Sequence, residues 1–257
     1  MLRQRRNRKG RPLGFSGKSV LITGGSGGVG ADMAVVFAEA GARVTLASRR
    51  HDRLTAVAGS HPNIHAKVAD VTKPNSVDSL FSEIRHDIVI ANAGIASSSP
   101  FRSTSLEDWN AIIATNLTGT FLTLRAGFRQ LPNNGRLIAV ASILAVSGSA
   151  YTAAYSASKH GVLGLVRSVA KEVGDSGVTV NAICPGYLET EMTDQTLANI
   201  RQKTGMSRED AIRALVGRKP DGRLIPPRQV SETALWLASD AASEVNGQAI
   251  VLSGGEI

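Results

Sequence analysis

Cysteine is almost missing from this chain. Cys184 is the only one, so no intramolecular disulfide can form and no cysteine-based metal site can be assembled. That scarcity suits a reducing compartment, and a cytoplasmic location is expected. Aromatic residues are also scarce, at 4%. The apolar mass is instead Ala, Val, Ile and Leu, which suits buried parallel strands and the helices that cover them. No apolar run approaches the ~18 residues of a membrane span, and no signal peptide is read at the amino end. His51, His61, His65 and His86 show no metal-ligand spacing, so no metal is expected.

Acid is missing from the first eleven residues, which hold Arg3, Arg5, Arg6, Arg8, Lys9 and Arg11. Without those six cations the formal charge of +8 falls to about +2. The basicity therefore belongs to a tail, read as disordered over residues 1–16. Nucleic acid is not an expected partner, because no aromatics are interleaved with the cations. A mitochondrial presequence would need an apolar helical face, and only Leu2 and Leu13 are on offer.

The rest reads as one α/β domain over residues 17–257. Strand-like segments at 18–23, 43–48, 64–69, 87–91, 136–141, 178–183 and 249–252 alternate with helix-like ones. The helices are expected after the glycine turn to Ala40, with Gly41 as the stop, and at 49–58, 76–84, 106–130, 153–173 and 229–238. This alternation implies a single doubly wound parallel sheet of Rossmann type, with helices on both faces. Ligands of such sheets sit beyond the carboxyl ends of the strands.

Thr23-Gly24-Gly25-Ser26-Gly27-Gly28-Val29-Gly30 joins the first strand to the first helix. Glycines let a pyrophosphate approach the backbone, and the helix amino end offers free N–H groups. The second strand ends in Ser48-Arg49-Arg50 rather than an acid. No carboxylate repels a 2′-phosphate there and two guanidinium groups can pair with it, so NADP(H) is favoured over NAD(H). Ser26 adds a hydroxyl. Asp70-Val71, after the third strand, is placed at the adenine, with helix capping as the plainer role of Asp70. Asn92-Ala93-Gly94 ends the fourth strand; Gly94 lets the backbone pass close to the cofactor, and Asn92 braces the neighbouring strand.

Ser142 follows the fifth strand, and Tyr155 and Lys159 stand i, i+4 on one helix, so both side chains point the same way. A nearby ammonium favours the phenolate and is expected to lower the Tyr155 pKa towards neutrality, for proton exchange with a carbonyl or an alcohol. Ser142 would hold the reacting oxygen. Asn116, an amide at mid-helix, is expected to hold a water that leads protons from Lys159 to solvent. His160 is expected to face away from the site, and Cys184 to be a buried small residue rather than a nucleophile.

With those residues in place, the sequence resembles the short-chain dehydrogenase/reductase family over nearly all of residues 17–257. Thr23-Gly24, Gly28 and Gly30 match its cofactor turn, and Asn92-Ala93-Gly94 its fourth-strand motif. Asn116, Ser142, Tyr155 and Lys159 match its catalytic tetrad. Asn181 and Pro185-Gly186, with Leu188 and Thr190 shortly after, match its nicotinamide loop. The resemblance implies Tyr155 as acid/base, Lys159 on the nicotinamide ribose, Ser142 on the substrate and Asn116 in a proton relay. It also implies a homotetramer or homodimer packed through the helices at 106–130 and 153–173, with a second contact near 246–252. Three features depart from it. The stretch from Asp70 to Asn92 is short, so its helix is trimmed; Ser253 stands where an aspartate is common; and the basic tail has no counterpart.

Between Thr190 and Pro226 two short amphipathic helices are expected, read as a substrate lid or else a surface or subunit-contact element. Arg213, Arg218, Lys219 and Arg223 there would attract an acidic or thioester-carrier substrate, or simply be solvated. The leading expectation is NADPH-dependent reduction of a ketone, of 3-oxoacyl type. The alternatives are an NAD(P)-dependent secondary-alcohol dehydrogenase and a dinucleotide-binding protein without turnover.

Overall fold

A computed structural model describes residues 14–217 and 219–257. The basic run of the tail, and Arg218, lie outside the described residues. Phe15, which the sequence assigned to the tail, is instead buried, its ring edge-on to Phe37 with centroids 5.5 Å apart. The ordered domain therefore begins before Gly17, because an aromatic side chain two residues upstream has a core to enter.

Seven strands form one sheet: β1 (Ser19–Thr23), β2 (Arg43–Ser48), β3 (Ile64–Val68), β4 (Ile88–Ala91), β5 (Arg136–Val140), β6 (Thr179–Pro185) and β7 (Ala249–Leu252). All pairs are parallel, in the order β3-β2-β1-β4-β5-β6-β7. The order reverses between β1 and β4, and the cleft above that switch point is where the chemistry-bearing loops gather.

Strand alternation sends Val20 and Ile22 to one face and Leu21 to the other. The first face packs on α1 (Gly28–Glu39) and α9 (Pro227–Leu237) through Phe37, Leu46, Val230 and Leu235. The second packs on α5 (Gly119–Phe128) and α6 (Ala153–Glu172) through Val89, Leu124, Leu137 and Val162. α2 (His51–Ala58) lies beside β2 and β3, and α1 ends before Gly41, whose φ of +96° no continuing helix residue could hold.

Two helices differ from expectation. The stretch at 106–130 is not continuous: α4 (Leu106–Ile112), capped by Ser105, passes through a π-helical segment at Ile113–Thr118 into α5. The extra residue per turn rotates Asn116 inward, and such bulges often mark functional positions. The trimmed crossover starts earlier than expected: α3 (Pro74–Asp78) and one 3₁₀ turn at Ser79–Phe81 are the helical turns between β3 and β4. β6 runs on through Cys184 and Pro185, which pair with Val251 and Leu252. α7 (Glu191–Thr204) and α8 (Arg208–Leu215) are the two short helices expected after Thr190. Among the described residues no helix is long and apolar enough to cross a membrane.

Candidate active site

The cleft begins at the β1–α1 turn. Gly24 has φ +74°, and a Cβ added there would stand 2.6 Å from the Ala93 Cα. One at Gly30 would meet the Gly24 carbonyl oxygen at 2.5 Å and the Asn92 amide at 2.7 Å. Neither position admits any other residue without moving backbone. Asn92 donates to the carbonyls of Thr23 (2.9 Å) and Gly24 (3.3 Å), the brace expected of it. The Thr23 hydroxyl oxygen completes the clamp by accepting from the N–H groups of Asn92 and Ala93. Gly27 faces open space, and no side chain caps the amino end of α1. A turn held this closely, with open N–H groups at its tip, fits the pyrophosphate of a dinucleotide. Val29 behind it is buried in the core, and Thr190 stands across the cleft, 3.4 Å from where a Gly28 Cβ would lie.

At the end of β2, Arg50 donates from Nε to the buried Ser26 hydroxyl (3.1 Å) and from its backbone N–H to Ser48 (3.1 Å). Arg49 is exposed and its charge reaches Asp70. Asp70 does not cap α3. Its Oδ1 accepts from the N–H and hydroxyl of Thr72 at 2.9 and 2.8 Å, folding the chain back after β3. Burial raises the Asp70 carboxyl, but the Thr72 hydrogen bonds, Arg49 and Lys73 outweigh it and hold the pKa below the ordinary value. The Val71 side chain is buried against α5, where a Gly119 Cβ would stand 2.8 Å from it.

The chemical groups converge at the carboxyl end of β5. Ser142 caps the short turn Ile143–Ala145; its oxygen accepts from the Leu144 N–H at 3.2 Å, and its hydroxyl is hydrogen-bonded to Tyr155. One turn along α6, Lys159 is buried, donates from Nζ to the Val140 carbonyl (2.9 Å), and lies 5.6 Å from the Tyr155 ring centroid. A Cβ on Gly94 would come within 3.3 Å of Asn116 Oδ1 and 3.6 Å of Lys159 Nζ, so Gly94 lies against both groups and a side chain there would crowd Asn116.

The ionisation of the pair corrects the sequence expectation. Burial pushes the Tyr155 phenol up to about 12; the Ser142 hydrogen bond pulls the other way and Tyr187 pushes in the same direction. Burial also pushes the Lys159 ammonium down to about 8. The ammonium lies towards the ring and the β5 carbonyl, and desolvation of the phenolate wins. Tyr155 therefore holds its proton at neutral pH.

Asn116 is fully buried; Oδ1 accepts from the Ile95 N–H (2.8 Å), while Nδ2 donates to the Ile95 carbonyl (2.9 Å) and the Ser158 hydroxyl (3.1 Å). Both amide protons are spent on protein, so the side chain braces the β4 loop against α6. Asn181 is likewise structural, bound to the Val245 carbonyl and the Gln248 N–H. Pro185 and Gly186 end β6 beside the site, and Leu188 pairs with Ile225 in a short bridge. Cys184 is buried, its thiol pushed up by burial, and His160 is exposed.

Several neighbours carry no local sequence signal. Tyr187 and Glu256 lie close enough to influence each other, and Glu256 Oε2 is 3.4 Å from where a Gly186 Cβ would stand. Tyr151 adopts φ +66°, and its carbonyl accepts from the Ser99 N–H (2.9 Å), tying two loops beside the mouth. Arg53 and Glu191 pair at 2.6 Å between α2 and α7, across 138 residues of chain. In the segment after Thr190, Lys219 is buried, paired with Asp221 (2.7 Å) and donating to the Arg223 carbonyl (2.7 Å), and Arg213 pairs with Asp210 (3.1 Å). Lys219 is therefore committed within the protein rather than offered to an acidic substrate, whereas Arg213 remains at the exposed surface.

A family model described as Enoyl-(Acyl carrier protein) reductase matches residues 24–256. The chain is 32% identical over 252 residues to the D-beta-hydroxybutyrate dehydrogenase of Rhizobium meliloti, covering 93% of this chain and 98% of that protein. It belongs to the short-chain dehydrogenase/reductase family. It is 33% identical over 253 residues to the 3-oxoacyl-(acyl-carrier-protein) reductase FabG of Aquifex aeolicus, covering 94% and 98%. A variant of actinorhodin polyketide ketoreductase, solved with NADPH, superposes with a TM-score of 0.87 at 29% identity over 93% of this chain and 97% of that one. As a member of this family the chain is an NAD(P)-dependent oxidoreductase.

Proposed function

We propose that this protein uses NADPH to reduce a ketone of the 3-oxoacyl type to a secondary alcohol, with Tyr155 as proton donor. The observation that carries the reading is the meeting of buried Ser142 and Lys159 with half-buried Tyr155 and Gly94 at one end of β5, next to a glycine turn open for a dinucleotide.

Gly24, Gly28 and Gly30 hold the pyrophosphate by backbone approach, with Ser26, Ser48, Arg49 and Arg50 on the 2′-phosphate side. Asp70 and Val71 flank the adenine. Asn92, Ala93 and Gly94 line the middle of the cleft, and Pro185, Gly186, Leu188 and Thr190 its nicotinamide end. The bound nicotinamide supplies a hydride to the carbonyl carbon. Ser142 hydrogen-bonds the carbonyl oxygen and Tyr155 gives it a proton as negative charge develops. An alkoxide is far more basic than a phenolate, so a phenol held near 12 still releases its proton downhill. Lys159 then faces the new phenolate, and the charge it carries at neutral pH stabilises it.

The residues at 190–226 serve as the substrate lid. Exposed Leu106, Trp109, Phe121 and Phe128 on α4 and α5 support a homodimeric or homotetrameric contact through those helices, with β7 and its exposed Val251 as the second. The site is built for a small carbonyl or alcohol substrate in the cytoplasm.

The test is a panel of simple ketones, 3-oxoacyl thioesters and 2-enoyl thioesters, followed by loss of NADPH absorbance. Turnover of 3-oxoacyl thioesters, with the enoyl thioesters inert, supports the reading. Turnover of the enoyl thioesters alone overturns it.

A further inference from the structure

Glu191, the first residue of α7, reaches back to α2. Its carboxylate pairs with Arg53 at 2.6 Å, although the two helices follow strands on opposite sides of the switch point. In the sheet, β1, β4 and β5 stand between β2 and β6. Four steps of about 4.8 Å put the ends of β2 and β6 roughly 19 Å apart. The link over residues 186–190 covers at most about 16–18 Å when extended. It therefore runs across the carboxyl ends of β5, β4 and β1, over the cleft at the switch point. Thr190 marks the course: its methyl stands 3.4 Å from where a Gly28 Cβ would lie, at the glycine turn after β1.

The two ends of this strap are fastened differently. Near β6 the fastening is backbone. The Gly186 N–H donates to the Leu252 carbonyl (2.9 Å), the Glu189 N–H to the Ile225 carbonyl (3.0 Å), and the Ile225 N–H to the Tyr187 carbonyl (2.8 Å). At the far end the fastening is the Arg53–Glu191 pair, with side chains 47% and 67% exposed. The Arg53 hydrogen bond is foremost in holding the Glu191 carboxyl below its ordinary value, and the Arg50 charge adds to it. The carboxylate is thus charged at neutral pH. An exposed ion pair opens readily, whereas the three backbone bonds must open together.

We infer that Arg53 and Glu191 form a latch across the dinucleotide cleft: the pair holds the strap over the bound cofactor, which leaves only after the pair opens. The inference rests on the reading of this cleft as the cofactor site. The strap pivots at its fastened end, near Leu188, and carries Thr190 and the start of α7 away from the glycine turn. Arg53 is spent on Glu191 rather than on a phosphate, so both are positioning residues. The latch consequently acts on NADPH and NADH alike, unlike the cations at Arg49 and Arg50. Exposure limits the effect to about two- to fivefold in the release rate.

The experiment is stopped-flow displacement. Protein loaded with NADPH, or with NADH, is mixed with excess oxidised cofactor, and loss of bound-cofactor fluorescence gives the release rate. Arg53→Gln and Glu191→Gln should each speed release of both cofactors by about two- to fivefold. The double variant should be no faster than either, because one change already opens the latch. Exchanging the charges, Arg53→Glu with Glu191→Arg, should restore slow release of NADH. A merely structural pair would lower the denaturation midpoint and leave release rates alone, which would overturn the latch. So would effects that multiply in the double variant, or a change confined to NADPH, which would put Arg53 on the 2′-phosphate instead. A wild-type protein that binds neither cofactor would overturn the reading of the cleft itself, and the latch with it.

Discussion

Replacing Lys159 with Met should stabilise the folded protein at neutral pH while it removes turnover. Burial brings the Lys159 pKa from 10.5 down to about 8, so keeping the ammonium charged in that site costs about 3 kcal/mol. Met fills similar space without a charge. Its drawback is the Val140 carbonyl, which loses its donor at 2.9 Å, at a cost of about 1–2 kcal/mol. The net gain near pH 7 is therefore about 1–2 kcal/mol. The pH dependence separates this from ordinary repacking. Between about pH 8 and 10.5 the unfolded wild-type chain keeps a proton that the folded chain has released, so wild-type stability rises with pH across that window. Tyr155 acts with the opposite sign at higher pH: the folded phenol keeps its proton to about 12 and the unfolded one loses it near 10, so stability falls between those values. Tyr155 is present in both proteins, and the difference between the two curves isolates Lys159. Urea denaturation at fixed protein concentration, near pH 7 and near pH 10, reads it directly. The variant should be the more stable protein at the lower pH and lose that advantage at the higher. A variant less stable than wild type by the same margin at both would refute the reasoning.

Three further outcomes are expected. Arg49→Ala should cut the preference for NADPH over NADH by about tenfold in dissociation constant, measured by fluorescence titration, leaving NADH affinity nearly unchanged. Asn116→Ala should lower stability by about 1–3 kcal/mol by stranding the half-buried backbone polar groups of Ile95, and denaturant midpoints should show it. Gly94→Ala should lower kcat more than it raises the KM for NADPH, since its Cβ would crowd Asn116 Oδ1 and touch Lys159 rather than the glycine turn.

The parts legible in the sequence were those written in short-range pattern. β2 and β7 begin and end where the apolar runs do, and Gly41 stops α1 where a positive φ is needed. The placing of Ser142, Tyr155 and Lys159 around one strand end followed from spacing, because a four-residue step on a helix fixes a shared face. The parts not legible depend on distance in space. Six residues of π-helix cannot be told from α-helix by periodicity, yet that segment turns Asn116 onto Ile95. Spacing brought Lys159 near Tyr155 but could not weigh the loss of water around both, and that loss sets the direction of each pKa. Phe15 looked like tail because only the folded chain shows that Phe37 waits for it. Lys219 looked like a free surface cation until Asp221 and the Arg223 carbonyl closed on it.

The proton source is tested most directly by Tyr155→Phe, which removes one oxygen and leaves the ring in place. Steady-state reduction of a 3-oxoacyl thioester, alongside NADPH binding by fluorescence, gives both quantities on one preparation. The hydroxyl as donor predicts that kcat falls by roughly a hundredfold to ten-thousandfold while the NADPH dissociation constant stays within about twofold. Turnover at the wild-type rate in that variant would contradict it, because the proton would then have to come from another group, such as Ser142 or Lys159.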